Sequence, residues 1–110
     1  MEESVARPRV IIAEDFVLIQ ECIRQLLLTD CDVVAAVEDG EAALEAVSTF
    51  SPDILVADIS LPGLSGFAIV EKLKRIQPNV DVILVTAHSE RDYLERAFEL
   101  GVKVMFSNGR

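Results

Sequence analysis

Five short runs of aliphatic and β-branched residues recur along this chain: Arg9–Ala13 (RVIIA), Val33–Val37 (VVAAV), Ile54–Asp58 (ILVAD), Val82–Thr86 (VILVT) and Val102–Phe106 (VKVMF). Each is too short for a helix. Most lack the polar alternation of a half-exposed strand, so they predict strands buried on both faces, the signature of a covered parallel sheet. Between the runs the apolar spacing changes to that of helices. Phe16, Ile19, Ile23 and Leu26 share one face of the first expected helix. Ala43, Leu44, Val47 and Phe50 do so in the second, after Asp39 as N-cap, and Ile69, Leu73 and Ile76 line the third, which Pro78 ends. A fourth opens at Ser89 and Asp92 in a form resembling a capping box and closes at Gly101.

The order βαβαβαβαβ predicts an α/β fold: a doubly wound, five-stranded parallel sheet with right-handed crossovers. At 110 residues the chain makes one domain over 1–110. Ligands of such sheets bind beyond the carboxyl ends of the strands, where the strand order reverses; in the flavodoxin-like order 2-1-3-4-5, strands one and three are neighbours at that point. Strand one runs into Glu14 and Asp15, strand three ends in Asp58, and strand four ends in Thr86. Alone, Asp58 also reads as a turn or helix cap. Three carboxylates at neighbouring strand ends are a different matter. They repel one another and must take up protons or share a cation. Oxygen-only ligands favour a hard ion such as Mg²⁺. A carboxylate can also act as a nucleophile and carry a phosphoryl group as an acyl phosphate, with Mg²⁺ neutralising the phosphoryl oxygens. The Thr86 hydroxyl is then placed to donate to the new group, which suits a switch.

Composition narrows the partners. The net charge of −9 repels phosphate backbones, so direct nucleic-acid binding by this domain is not expected; a cation or a basic protein partner fits better. Cys22 and Cys31 have no metal-binding spacing and read as reduced thiols of a cytoplasmic protein. The acidic, polar start MEESVARPR is no secretory signal, and no apolar run approaches a membrane span.

The segments VIIAED (10–15), ILVADISLPGLSG (54–66), VILVTAH (82–88) and AFELGVK (97–103) resemble, over nearly the whole chain, the receiver domain of bacterial two-component response regulators. The resemblance implies a fold, a function and a set of roles. Asp58 is similar to the phosphoacceptor that takes a phosphoryl group from a phosphohistidine of a sensor histidine kinase, as in a phosphorelay. Glu14 and Asp15 resemble the acid pair that binds Mg²⁺, with Asp15 the direct ligand and the backbone carbonyl of Ser60 a further one. Thr86 resembles the switch hydroxyl, Ala87 the small residue that leaves room for the phosphoryl group, and Pro62 and Gly66 the loop residues after the phosphoacceptor. His88 is an ordinary loop residue. The readout is a conformational change relayed to an output domain outside this chain, DNA-binding by analogy, or to a partner. Such a domain is a signalling module and not a turnover enzyme.

Two departures from the family pattern stand out. Where the family carries a lysine after strand five, this chain has Asn108, and Met105 occupies the usual aromatic position. Lys103 lies five residues upstream of Asn108, roughly 16 Å along an extended strand, and cannot substitute. A charged hydrogen bond is worth about 1.5–3 kcal/mol against about 0.5–1.5 for a neutral one, so weaker or poorly coupled phosphorylation is expected; the flexible Met105 weakens the aromatic switch. The alternative is a degenerate receiver acting as a phosphorylation-independent interaction module. Second, only Gly109 and Arg110 follow Asn108, so the family's fifth helix is absent from this chain. The sheet face beside helix one is then expected to be half covered, favouring a homodimer. Among enzymes, haloacid-dehalogenase-like phosphatases need a second Asp where Ser60 stands, the nucleotide and dinucleotide glycine motifs are missing, and so is the cobalamin-binding D-x-H-x-x-G signature.

Overall fold

A computed structural model of the chain describes residues 7–86 and 103–106. The five strands are β1 (Arg9–Ala13), β2 (Asp32–Val37), β3 (Ile54–Asp58), β4 (Asp81–Thr86) and β5 (Lys103–Phe106). Three helices lie between them: α1 (Val17–Leu27), α2 (Gly40–Phe50) and α3 (Gly66–Ile76). The strands form one sheet in the order β2-β1-β3-β4-β5 with every pairing parallel, as the alternating sequence pattern requires. The expected fourth helix (89–101), the expected absence of a fifth, and the residues Ala87, His88 and Asn108 all lie outside the described residues.

Period-two alternation sorts the strand residues between two layers. Ile11, Ala13, Leu55, Ala57, Val82 and Leu84 face the larger core, where Ala43, Ala46 and Val47 of α2 and Phe67, Ile69, Val70 and Leu73 of α3 bury their side chains. Each large apolar side chain fully buried there contributes about 1.5–3 kcal/mol. Val10, Ile12, Val56 and Val85 face the opposite layer, against Ile23 and Leu27 of α1. At the β1–β2 seam the register slips between Val10 and Ile11, so that Val33 and Ala35 are the partners and Val34 is extra. This bulge lets Val34 and Ala35 both pack on the larger core.

Helix ends follow local chemistry. The Asp39 carboxylate accepts from the Ala42 amide at 2.8 Å, the expected N-cap. Ser65 caps α3 by accepting from Ala68 N, and α3 stops at Ile76, two residues before Pro78. The inward face of α1 differs from the expected one. Phe16 and Leu26 are 65 % and 79 % exposed, whereas Ile19, Gln20, Ile23 and Leu27 turn inward. The reason is phase: Phe16 is an extended N-cap residue outside the helix, so the row that packs is 19–23–27. Ile76, expected to pack, is 64 % exposed, and Phe50 is 38 % exposed. At the other end of α1 the Arg7 guanidinium donates to the carbonyls of Leu28, Thr29 and Cys31 and pairs with Asp32 at 2.8 Å. Arg9 does the same for α2 through the carbonyls of Phe50 and Ser51. The Leu28, Phe50 and Ser51 carbonyls are among those a helix leaves without partners, and those of Thr29 and Cys31 belong to the turn into β2.

Candidate functional site

The register of the central strands builds the site. Ala13 of β1 pairs with Ala57 of β3, so the next residues on each chain, Glu14 and Asp58, lie side by side at the carboxyl end of the sheet. Both share the face of Ile12 and Val56 by alternation. Carboxylate oxygens of Glu14, Asp15 and Asp58 lie within 4.8 Å of one another. Asp15 is exposed, Asp58 half-buried and Glu14 only 2 % exposed. Among the described residues no lysine or arginine pairs with any of the three; the ion pairs join Arg7 to Asp32 and Arg24 to Glu21.

This crowding marks Glu14. Burial raises its carboxyl pKa from 4.5 to about 7; the charges of Asp58 and Asp15 and a side-chain hydrogen bond with Asp58 add to the rise, and the bond from the Phe16 amide opposes it. That amide donates to Glu14 Oε2 at 3.0 Å. The Glu14 backbone is held on both sides: its N–H donates to the Val37 carbonyl at 3.0 Å, and its carbonyl accepts from Gln20 Nε2 at 2.9 Å. Gln20 Nε2 also donates to the Val37 carbonyl, at 3.2 Å. Asp58 Oδ1 accepts from the Ser60 amide at 3.1 Å, which orients the carboxylate from its own loop.

Close packing positions the loop after β3. Gly66 opens α3 directly beneath the site: a Cβ there would lie 2.9 Å from both the Asp58 carbonyl and Leu84 Cδ2. Gly66, a loop residue after the phosphoacceptor by resemblance, is the residue that lets α3 abut the end of β3. Gly40, at the start of α2, donates its N–H to the Pro62 carbonyl at 3.0 Å, and a Cβ on it would sit 2.4 Å from the Leu64 carbonyl. The loop is thus clamped between two helix starts.

The remaining sequence-selected positions fall as follows. Thr86 ends β4 one residue past Val85, the partner of Asp58, and stands opposite Phe106. Met105 lies in β5 opposite Val85. Ala87 and Asn108 are outside the described residues. Sequence reasoning missed Gln20; the available signal was a polar residue inside the inward row of an otherwise apolar helix face.

Three oxygen donors gathered with no protein cation among the described residues, one of them buried, have the chemistry of a hard divalent-cation site. The donor set therefore fits Mg²⁺. No helix among the described residues is long and apolar enough to cross a membrane, and both cysteines are free thiols.

Comparison with known proteins identifies the family. Residues 10–107 match the family model described as response regulator receiver domain. The chain is 39 % identical over 64 residues to the DNA-binding transcriptional regulator NtrC of Klebsiella pneumoniae, covering 58 % of this chain and 14 % of that protein. It is 32 % identical over 92 residues to the DNA-binding transcriptional activator EvgA of Escherichia coli (strain K12), covering 83 % of this chain and 45 % of that protein. Among solved structures, the signal receiver domain of the response regulator NarL from Mycobacterium tuberculosis superposes with a TM-score of 0.87 at 25 % identity, over 94 % of this chain and 86 % of that one. The chain spans less than half the length of these two curated relatives.

Proposed function

The chain belongs to the response regulator receiver domain family of two-component signalling, and from that membership we propose that Asp58 accepts a phosphoryl group from a sensor histidine kinase at a Mg²⁺ site formed with Glu14 and Asp15. The observation that carries the reading is the convergence of the three carboxylates within 4.8 Å at the carboxyl edge of the sheet.

An oxygen of the Asp58 carboxylate attacks phosphorus; the new O–P bond forms as the N–P bond of the phosphohistidine breaks, and the imidazole nitrogen leaves with the electron pair. When bound, Mg²⁺ supplies charge neutralisation for the phosphoryl oxygens. Glu14 and Asp15 would hold the ion with Asp58 and the Ser60 carbonyl. The Ser60 amide bond to Oδ1 keeps the nucleophile oriented. Thr86 donates to the attached phosphoryl group, Ala87 leaves room for it, and Asn108 offers an amide where the family pattern has a lysine. The signal passes to an output domain or partner beyond residues 1–110, DNA-binding as in the named relatives, in the cytoplasm. Self-association through the α1 side of the sheet is part of this reading, supported by the half-buried Ile54 and Ile83 on that face.

Incubation with a small acyl-phosphate donor and Mg²⁺, followed by intact mass, tests the proposal. One phosphoryl adduct is expected on the wild type, and none on Asp58→Asn or with the metal chelated. A wild type that stays unmodified would sink phosphotransfer and leave the phosphorylation-independent interaction module suggested by Asn108.

A further inference from the structure

Glu14 sits one residue beyond the end of β1, so the ladder no longer dictates where its backbone goes. Its carboxyl nevertheless stays beside those of Asp15 and Asp58, all within 4.8 Å of one another. Left free, the segment Glu14–Asp15 would be able to swing away from Asp58 and open the cluster. Its amide is retained by the Val37 carbonyl. The side chain that retains its carbonyl comes from α1: Gln20 Nε2, whose two hydrogens meet two acceptors, Glu14 O at 2.9 Å and Val37 O at 3.2 Å. Because both partners are carbonyls, only the NH₂ end of the amide satisfies them. Gln20 itself is half-buried, and its backbone N–H opens the helix by donating to Phe16 O at 2.9 Å. One residue therefore joins the start of α1, the end of β2 and the acid pair.

We propose that Gln20 is a positioning residue that preorganises Glu14 and Asp15 for the divalent cation, so that the site exists before metal arrives. The inference rests on the Mg²⁺ reading above and deepens it. Gln20 touches neither metal nor phosphoryl group; it acts through the Glu14 backbone. Groups that orient metal ligands from behind typically change metal affinity 10–100-fold when lost.

Calorimetric titration of the 110-residue chain with Mg²⁺ tests this, at a temperature where thermal unfolding curves show every variant fully folded. Gln20→Met keeps length and volume but no donor, and its Mg²⁺ dissociation constant is expected to rise about tenfold. Gln20→Arg keeps N–H donors on a long side chain and is expected to retain most of the wild-type affinity. A merely structural role would lower the melting temperature of Gln20→Met and leave its affinity unchanged, and that result overturns the inference while the Mg²⁺ site stands. Should Gln20→Met not fold, Gln20→Asn, which shortens the reach by one methylene, carries the same expectation. A wild type that binds no Mg²⁺ overturns both this inference and the reading beneath it.

Discussion

Replacing Glu14 by glutamine should stabilise the metal-free protein, and by an amount that depends on pH in a defined way. The folded carboxyl has a pKa of about 7 against an ordinary 4.5. Below pH 4.5 the group is protonated in both the folded and the unfolded chain and costs nothing. Between 4.5 and 7 the folded state keeps a proton that the unfolded state gives up, so stability falls as pH rises. Above 7 the folded carboxyl ionises too, and the loss levels off. A gap of roughly 2.5 pH units at about 1.4 kcal/mol each amounts to a loss on the order of 3 kcal/mol. Glutamine is neutral throughout, and its carbonyl still accepts from the Phe16 amide. The difference between Glu14→Gln and wild type should therefore be near zero at pH 4 and on the order of 3 kcal/mol in favour of the variant at pH 8. For a domain of this size that corresponds to a rise in melting temperature of roughly 10–20 °C. Urea titrations followed by circular dichroism, in the presence of a chelator and across pH 4–8, measure it directly. Saturating Mg²⁺ should narrow the gap at pH 8, because the ion stabilises the wild-type carboxylates by mass action. If the two proteins keep a constant difference at every pH, the picture of a buried, proton-retaining Glu14 is wrong.

Three further outcomes follow from particular contacts. Gly66→Ala forces a Cβ into the Asp58 carbonyl and Leu84; a loss of about 1–3 kcal/mol and weaker Mg²⁺ binding are expected, seen by denaturation and calorimetry, and unchanged values would mean that α3 can retreat without moving the site. Arg7→Ala should cost about 1 kcal/mol, since its contacts are exposed, and amide exchange should quicken in the last turn of α1. Asn108→Lys should raise the yield or lifetime of the acyl phosphate measured by intact mass, because a charged donor is worth about 1 kcal/mol more than a neutral one; no change would remove Asn108 as the cause of weak phosphorylation.

The fold was legible because its signal is coarse. Val10–Ala13, Ile54–Ala57 and Val82–Val85 are unbroken apolar stretches, and only a sheet covered on both faces hides such stretches. The carboxylate cluster was legible for a related reason: Glu14, Asp15 and Asp58 each follow such a run, and parallel strands bring their ends to one edge. Details that depend on phase or on long-range polar contacts were not. Placing Phe16 and Leu26 on the buried side of α1 failed because Phe16 precedes the helix and because the inward row runs from Ile23 to Leu27 by a step of four, which leaves Leu26 about 100° away. The clasp at Gln20 was hidden because its acceptors, the carbonyls of Glu14 and Val37, belong to every residue type. The relative depth of the acid pair was also invisible: adjacent residues point to opposite sides, and the structure buries Glu14 while exposing Asp15.

The two arginines at the entry to β1 have a practical corollary. Arg7 lashes down the far end of one crossover helix and Arg9 that of the next, so the stretch leading into the first strand works as a double mooring for elements more than twenty residues away. Trimming through it would loosen the far ends of both helices at once, on either side of the sheet, although no residue at the acidic edge had been touched.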